Sequence, residues 1–166
     1  MAEFSQQIKD DIIEKEKGYV NSVNDRGGET KYGISKRQYP TLDIKNLSKE
    51  NALTIYQTDY WEKYNLPRIN SQLIASVIFD MLVNMGSNAI RCAQRAVNHC
   101  EYAMVLKIDG VLGNLTIEEI NSVTIKNETW LKDRIDLERI IFYTSLANRD
   151  PSQRTNLRGW INRVIL

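Results

Sequence analysis

Apolar residues recur at helical rather than strand spacing along most of this chain. Phe4, Ile8, Ile12 and Ile13 fall on one face of a first helix that Gly18 should end. From residue 18 to 34 the periodicity gives way to turn formers, with "NDRGG" the strongest punctuation and room for a small hairpin. After a turn near Pro40, Ser48 is placed to N-cap a helix running to about Tyr64, and Pro67 bars its extension. Over 71–85, Leu73, Ile74, Val77, Ile78, Met81, Leu82 and Met85 share one broad face, with Gly86 as the stop, so this is the candidate central helix. A further helix is predicted from about Asn88 to Cys100. In "KIDGVLGNLTIEEI" a glycine turn precedes Thr116 and Glu119 at capping-box spacing. A long helix from about Glu128 to Asn148 and a short one around Trp160 complete the chain. The expected fold class is mainly α, with a small β-hairpin or irregular loop near residues 19–34.

Composition narrows the picture. A chain of 166 residues can bury one real core and is too short for two large domains. The 22 basic and 21 acidic residues leave a net charge of +1, so no overall field draws the protein to nucleic acid or to an anionic membrane. Apolar runs such as "LIASVIFDMLV" fall short of the roughly 18 residues that span a bilayer, so no membrane insertion is expected. "MAEFSQQIKDDIIEKEKG" lacks a basic start, a long apolar segment and a small-residue cleavage site. Synthesis in the cytoplasm without a signal peptide is the expectation.

Cys92 and Cys100 lie on one predicted helix, about 12 Å apart along its axis, too far for an intrachain disulfide. A single histidine, His99, offers little material for a zinc site or a Ser-His-Asp arrangement and reads as a helix-end residue. No metal and no organic cofactor are expected.

The polar stretch "EKEKGYVNSVNDRGGETKYGIS" holds four acidic residues, Glu14, Glu16, Asp25 and Glu29. On a helical wheel Glu16 falls roughly 40° from Ile12, inside the apolar sector, and Glu14 roughly 160° away, toward water. Glu16 also occupies the last turn, where the negative end of the helix and partial burial both raise a carboxyl pKa. A carboxyl held protonated near neutral pH suits a general acid that protonates a poor leaving group such as a glycosidic oxygen. The competing reading is a half-buried helix-end residue bonded to a neighbouring amide. Asp25 could face Glu16 once "DRGGET" folds the chain back, with the Thr30 hydroxyl nearby; the competing reading is that Asn24-Asp25 simply starts a turn. Paired carboxylates flanking an acetal carbon are the recurring solution for glycoside hydrolysis. Glu29 reads as solvated. The aromatic residues Tyr19, Tyr32, Tyr60 and Trp61 suit either sugar faces or a core.

"EKGYVNSVNDRGGETKYGIS" resembles the opening motif of glycoside hydrolase family 108, the N-acetylmuramidases of phage endolysins and lysozyme-like secretion activator proteins. The resemblance continues through Tyr60-Trp61, "FDMLVNMG", "AQRAVN", "IDGVLGNLT" and "GWINRV". It implies a lysozyme-like helical fold, with a catalytic region over 1–88 and a helical peptidoglycan-binding-like region over 89–166, packed into one body. It implies hydrolysis of the β-1,4 bond between N-acetylmuramic acid and N-acetylglucosamine. Glu16 would be the general acid, with Asp25 and Thr30 assisting, and Tyr19, Tyr32, Trp61, Asp80 and Asn84 would line the glycan groove. The expected partners are peptidoglycan glycan strands and a holin for release to the cell wall, with the protein a monomer. A non-catalytic wall-binding or secretion-assisting module and a lytic transglycosylase are the alternative readings. Lys17 stands where the family has glycine, and Ser22, Val23 and Arg26 stand where it has Asp-Pro and Pro.

Overall fold

The computed structural model of the protein describes residues 1–15, 18–20 and 28–165. The chain forms two compact units, Glu3–Tyr64 and Asn65–Leu166, the second of which also takes in Met1–Ala2.

In the smaller unit, helix α1 (Gln6–Lys15) buries Ile8, Ile12 and Ile13 and leaves Glu14 exposed, the phase that the hydrophobic spacing predicts. Strands β1 (Tyr19–Val20), β2 (Thr30–Lys31) and β3 (Ile34–Ser35) form an antiparallel sheet in that order. Tyr19 pairs with Lys31, which in turn pairs with Ile34. The small hairpin or irregular loop expected near 19–34 thus contains, among the described residues, three short antiparallel strands. Its second turn is two residues long, Tyr32 and Gly33, both at positive φ (50° and 73°). Such a turn matches the twist of the flanking strands, and glycine takes the second position without strain.

Helix α2 (Lys49–Tyr56) starts where expected, with Ser48 Oγ accepting from the Asn51 N–H at 3.1 Å. The single helix predicted to reach Tyr64 changes character after Tyr56. Residues Gln57–Glu62 form a wider π turn, in which the Lys63 N–H reaches the Thr58 carbonyl. Tyr56 and Trp61 would lie roughly 140° apart on an α-helix. The wider turn brings these two large rings toward one side, where both are buried.

The larger unit is built on helices α3 (Gln72–Met85), α4 (Asn88–Asn98), α5 (Asn114–Arg149) and α6 (Arg154–Ile165). Ser71 Oγ caps α3 through the Ile74 N–H at 3.0 Å, and Gly86 ends it. The buried set on α3 is Ile74, Ala75, Ile78, Phe79, Met81 and Leu82, while Leu73 is exposed. The face turns away from Leu73 because α4 and α5 both lie against this helix, so Ala75 and Phe79 are covered as well.

Helix α5 begins at Asn114, two residues before the predicted cap Thr116. Thr116 is buried inside the first turn and its hydroxyl donates to the Val111 carbonyl at 3.4 Å. The helix breaks at Asn127 (φ −160°, ψ 85°), where Asn127 Oδ1 accepts from the Trp130 N–H at 3.0 Å. A fresh N-cap at that point explains why the periodicity places a helix start near Glu128. Packing divides the chain after Tyr64, earlier than the motif boundary at residue 88, because the buried flanks of α3 are covered by α4 and α5.

Cys92 and Cys100 are both free and buried. Burial pushes the Cys92 thiol up to about 11. Among the described residues no helix is long and apolar enough to cross a membrane.

Candidate functional site

In the smaller unit, "GETKYG" from Gly28 to Gly33 builds a strand and a strained turn. Thr30 lies on β2, and its hydroxyl donates to the Gly28 carbonyl at 3.2 Å. Tyr32 carries a bulky side chain at φ 50°, a conformation that costs on the order of 1–3 kcal/mol and persists only where surroundings enforce it. Here the buried Tyr56 hydroxyl donates to the Tyr32 carbonyl at 2.9 Å, and Lys31 Nζ lies 5.6 Å from the Tyr32 ring centroid. The site strand is therefore anchored to helix α2 through the backbone of a candidate residue.

Tyr19, 44% exposed on β1, donates its hydroxyl to Glu29 Oε1 at 2.7 Å. Glu29 is thus not simply solvated, as its place in the loop suggests. It is half-buried, accepts that bond, and its carbonyl accepts from the Lys36 N–H at 2.8 Å. Tyr19, Thr30, Tyr32 and Glu29 share this small sheet and its turns. Glu16 and Asp25 lie outside the described residues.

Trp61 is 2% exposed and tilts against Phe4 with ring centroids 5.8 Å apart. Its packing is that of a core residue, a correction to its expected place on the wall of an open groove; the π turn that buries Tyr56 also turns Trp61 inward. Nearby, the Tyr39 hydroxyl donates to Asp59 Oδ2 at 2.7 Å, and burial with this carboxylate beside it holds the phenol proton far more tightly than usual.

The remaining candidates, Asp80 and Asn84, lie on α3 in the larger unit. Asn84 is exposed and its Nδ2 donates to the Asp80 carbonyl at 2.6 Å. Asp80 is held by two arginines. Its Oδ2 accepts from Arg139 Nη2 at 2.8 Å, and its Oδ1 lies 3.1 Å from Arg163 Nη2. Arg139 is 3% exposed and also donates from Nε to the Tyr143 hydroxyl at 3.2 Å. Tyr143 stacks on Trp160 at 5.1 Å. Asp80 therefore ties α3 to α5 and α6, with both carboxylate oxygens engaged by guanidinium groups. Trp160 and Arg163 of "GWINRV" make the α6 side of that cluster.

The other motifs of the larger unit hold a loop. Buried Gln94 donates from Nε2 to Asp109 Oδ1 (2.9 Å) and to the Val111 carbonyl (3.1 Å), and its Oε1 accepts from the Gly110 N–H at 3.0 Å. Asn98 clasps Leu106 in both directions, at 2.8 and 2.7 Å. Gly110 sits at φ 78°, and a β-carbon there would meet the Arg91 guanidinium and lie 3.0 Å from the Ser87 carbonyl. "AQRAVN" and "IDGVLG" are thus two halves of one clasp. Replacing Gln94 by Leu keeps the volume but strips partners from buried groups. A loss of about 1–3 kcal/mol is expected, read as a lower midpoint in urea unfolding; an unchanged midpoint would discard the clasp.

Sequence reasoning missed Glu29 as a bonded group and both arginines on Asp80. The signal for Glu29 was its position beside the glycine turn. Arg139 and Arg163 lie 59 and 83 positions from Asp80, and no local pattern links them.

Residues 9–86 match the family described as Glycosyl hydrolase 108, and residues 88–165 match the family described as Predicted Peptidoglycan domain. Among solved structures the chain is similar to SagA of Brucella abortus, with 22% sequence identity and a TM-score of 0.76 over 95% of this chain and 87% of that one. That likeness is one of fold: mainly helical, with a small antiparallel sheet. A search of curated proteins found no match.

Proposed function

We propose that this chain, whose residues 9–86 match glycosyl hydrolase 108 and whose residues 88–165 match a predicted peptidoglycan domain, is a peptidoglycan hydrolase with muramidase activity. The bond cleaved is the β-1,4 linkage between N-acetylmuramic acid and N-acetylglucosamine. The observation that carries this reading is the order of the two matched segments, a glycosyl hydrolase segment followed by a peptidoglycan domain.

Glu16 is the general acid in this proposal. It protonates the glycosidic oxygen as the bond to the anomeric carbon breaks and positive charge develops on the sugar. Asp25 orients or activates the attacking water, or stabilises the oxocarbenium-like state through its charge. Thr30, on β2, assists from the strand that the Tyr56–Tyr32 bond anchors. A fixed strand supports this role, since positioning a hydroxyl and a water contributes only when their geometry is held in advance.

The test is incubation of purified peptidoglycan with the protein, followed by turbidity, reducing-end measurement and mass spectrometry of the fragments. Muramidase action yields fragments with reducing N-acetylmuramic acid ends. Anhydromuramyl ends would replace the proposal with a lytic transglycosylase, and reducing N-acetylglucosamine ends would move the cleavage to the other linkage. Cosedimentation without sugar release would make the protein a wall-binding module.

A further inference from the structure

We propose that a cavity in the larger unit, between the C-terminal end of α4 and the break in α5, binds one N-acetylated amino sugar of the glycan strand as a site separate from the bond cleaved. It is an open hollow of about 300 Å³ lined by His99, Cys100, Glu101, Tyr102, Asn127 and Trp130. The choice of an amino sugar rests on the reading of the chain as a peptidoglycan hydrolase. The cavity itself rests on side chains that the muramidase proposal does not use.

The volume lies at the lower end for small-molecule sites, which fits a single sugar ring rather than a run of glycan. Tyr102, 49% exposed, and Trp130 supply aromatic faces of the kind that cover the C–H face of a pyranose. Polar groups beside them are unspent. Among the described residues the Trp130 indole N–H, the Asn127 amide Nδ2 and the Glu101 carboxylate take no hydrogen bond from or to the protein. Two donors and a carboxylate acceptor at the rim of an aromatic wall match the acetamido carbonyl and the hydroxyls of an amino sugar.

The fold holds this wall ready. The break at Asn127 interrupts α5, and the same residue caps the helix that carries Trp130. Lys126 Nζ lies 3.7 Å from the Tyr102 ring centroid and fixes that ring from one side. Asn98 pins Leu106, and Glu119 Oε2 accepts from the Met104 N–H at 3.1 Å, so the segment following Tyr102 is tied to α4 and α5. His99 stands 3.4 Å from the buried Glu138 carboxylate, which also accepts from Arg134 at 2.7 Å. A preformed wall lowers the ordering cost of a weak ligand.

The test follows the three tryptophan indole N–H signals in a ¹H–¹⁵N spectrum of the full chain, with Trp130→Phe used to assign the one from Trp130. N-acetylglucosamine is expected to shift the Trp130 signal saturably and to leave Trp61 and Trp160 in place. Tyr102→Ala, at an exposed position, should weaken that binding about tenfold. A Trp130 signal that the sugar leaves unmoved, or that a stem peptide moves and the sugar does not, overturns the proposal. A saturable shift in a protein that releases no sugar from peptidoglycan would support this site while removing the muramidase reading. Normal release with no shift would do the reverse.

Discussion

Glu16→Gln is expected to lower sugar release from purified peptidoglycan by about 10²- to 10⁴-fold, the range that a positioned general acid contributes. Glutamine matches glutamate in size and keeps hydrogen-bonding capacity, but it has no proton to give the leaving oxygen. Sedimentation with intact peptidoglycan and thermal unfolding should stay near those of the unmodified protein, which separates a chemical loss from a folding loss. The neighbouring Glu14→Gln serves as the control and should retain full release, because Glu14 is exposed on the solvent side of α1. Undiminished release by Glu16→Gln would remove Glu16 from the mechanism. An equal fall in both variants would point to charge on this helix rather than to one proton donor.

The largest stability effect is expected from Arg139→Ala. Removing a buried guanidinium leaves Asp80 facing the interior with one of its two arginines gone, and takes a donor from the Tyr143 hydroxyl. Breaking a buried ion pair from one side costs about 3–5 kcal/mol, enough to lower the melting temperature of a chain this size by roughly 10 °C. Asp80→Asn should cost less, since the amide can still accept from one guanidinium. The double variant Asp80→Ala, Arg139→Ala should lose clearly less than the sum of the two single losses, because neither charge is then stranded. Additive losses in calorimetry would show that the two residues act independently and that the tie between α3 and α5 is of little consequence.

Much of the fold is legible in local pattern because helix periodicity and caps are local physics. Ile8, Ile12 and Ile13 set the phase of α1, Ser48 and Ser71 accept the N–H bonds that their positions imply, and Gly86 ends α3. Where neighbours distant in sequence intervene, the pattern misleads. Leu73 has the spacing of a core residue and is exposed, since the faces of α3 are chosen by α4 and α5. Trp61 has the composition of a sugar platform and is buried, since a π turn rather than an α turn carries it. Thr116 has the spacing of a cap and is instead spent on the Val111 carbonyl.

The candidate site divides in the same way. Amphipathic spacing alone separates Glu16 from Glu14, and the glycine-rich turn with its resemblance to a hydrolase family names the chemistry. Those are properties of consecutive residues, so sequence by itself determined the helical character of the chain, the resemblance of its two segments to known families and the carboxylate worth testing. Only the tertiary structure decided that Asp80 belongs to two arginines, that Gln94 and Asn98 clasp one loop, and that Tyr102 and Trp130 share a cavity. Each of those depends on side chains brought together across tens of residues, a distance over which the periodicity of a single helix carries no information.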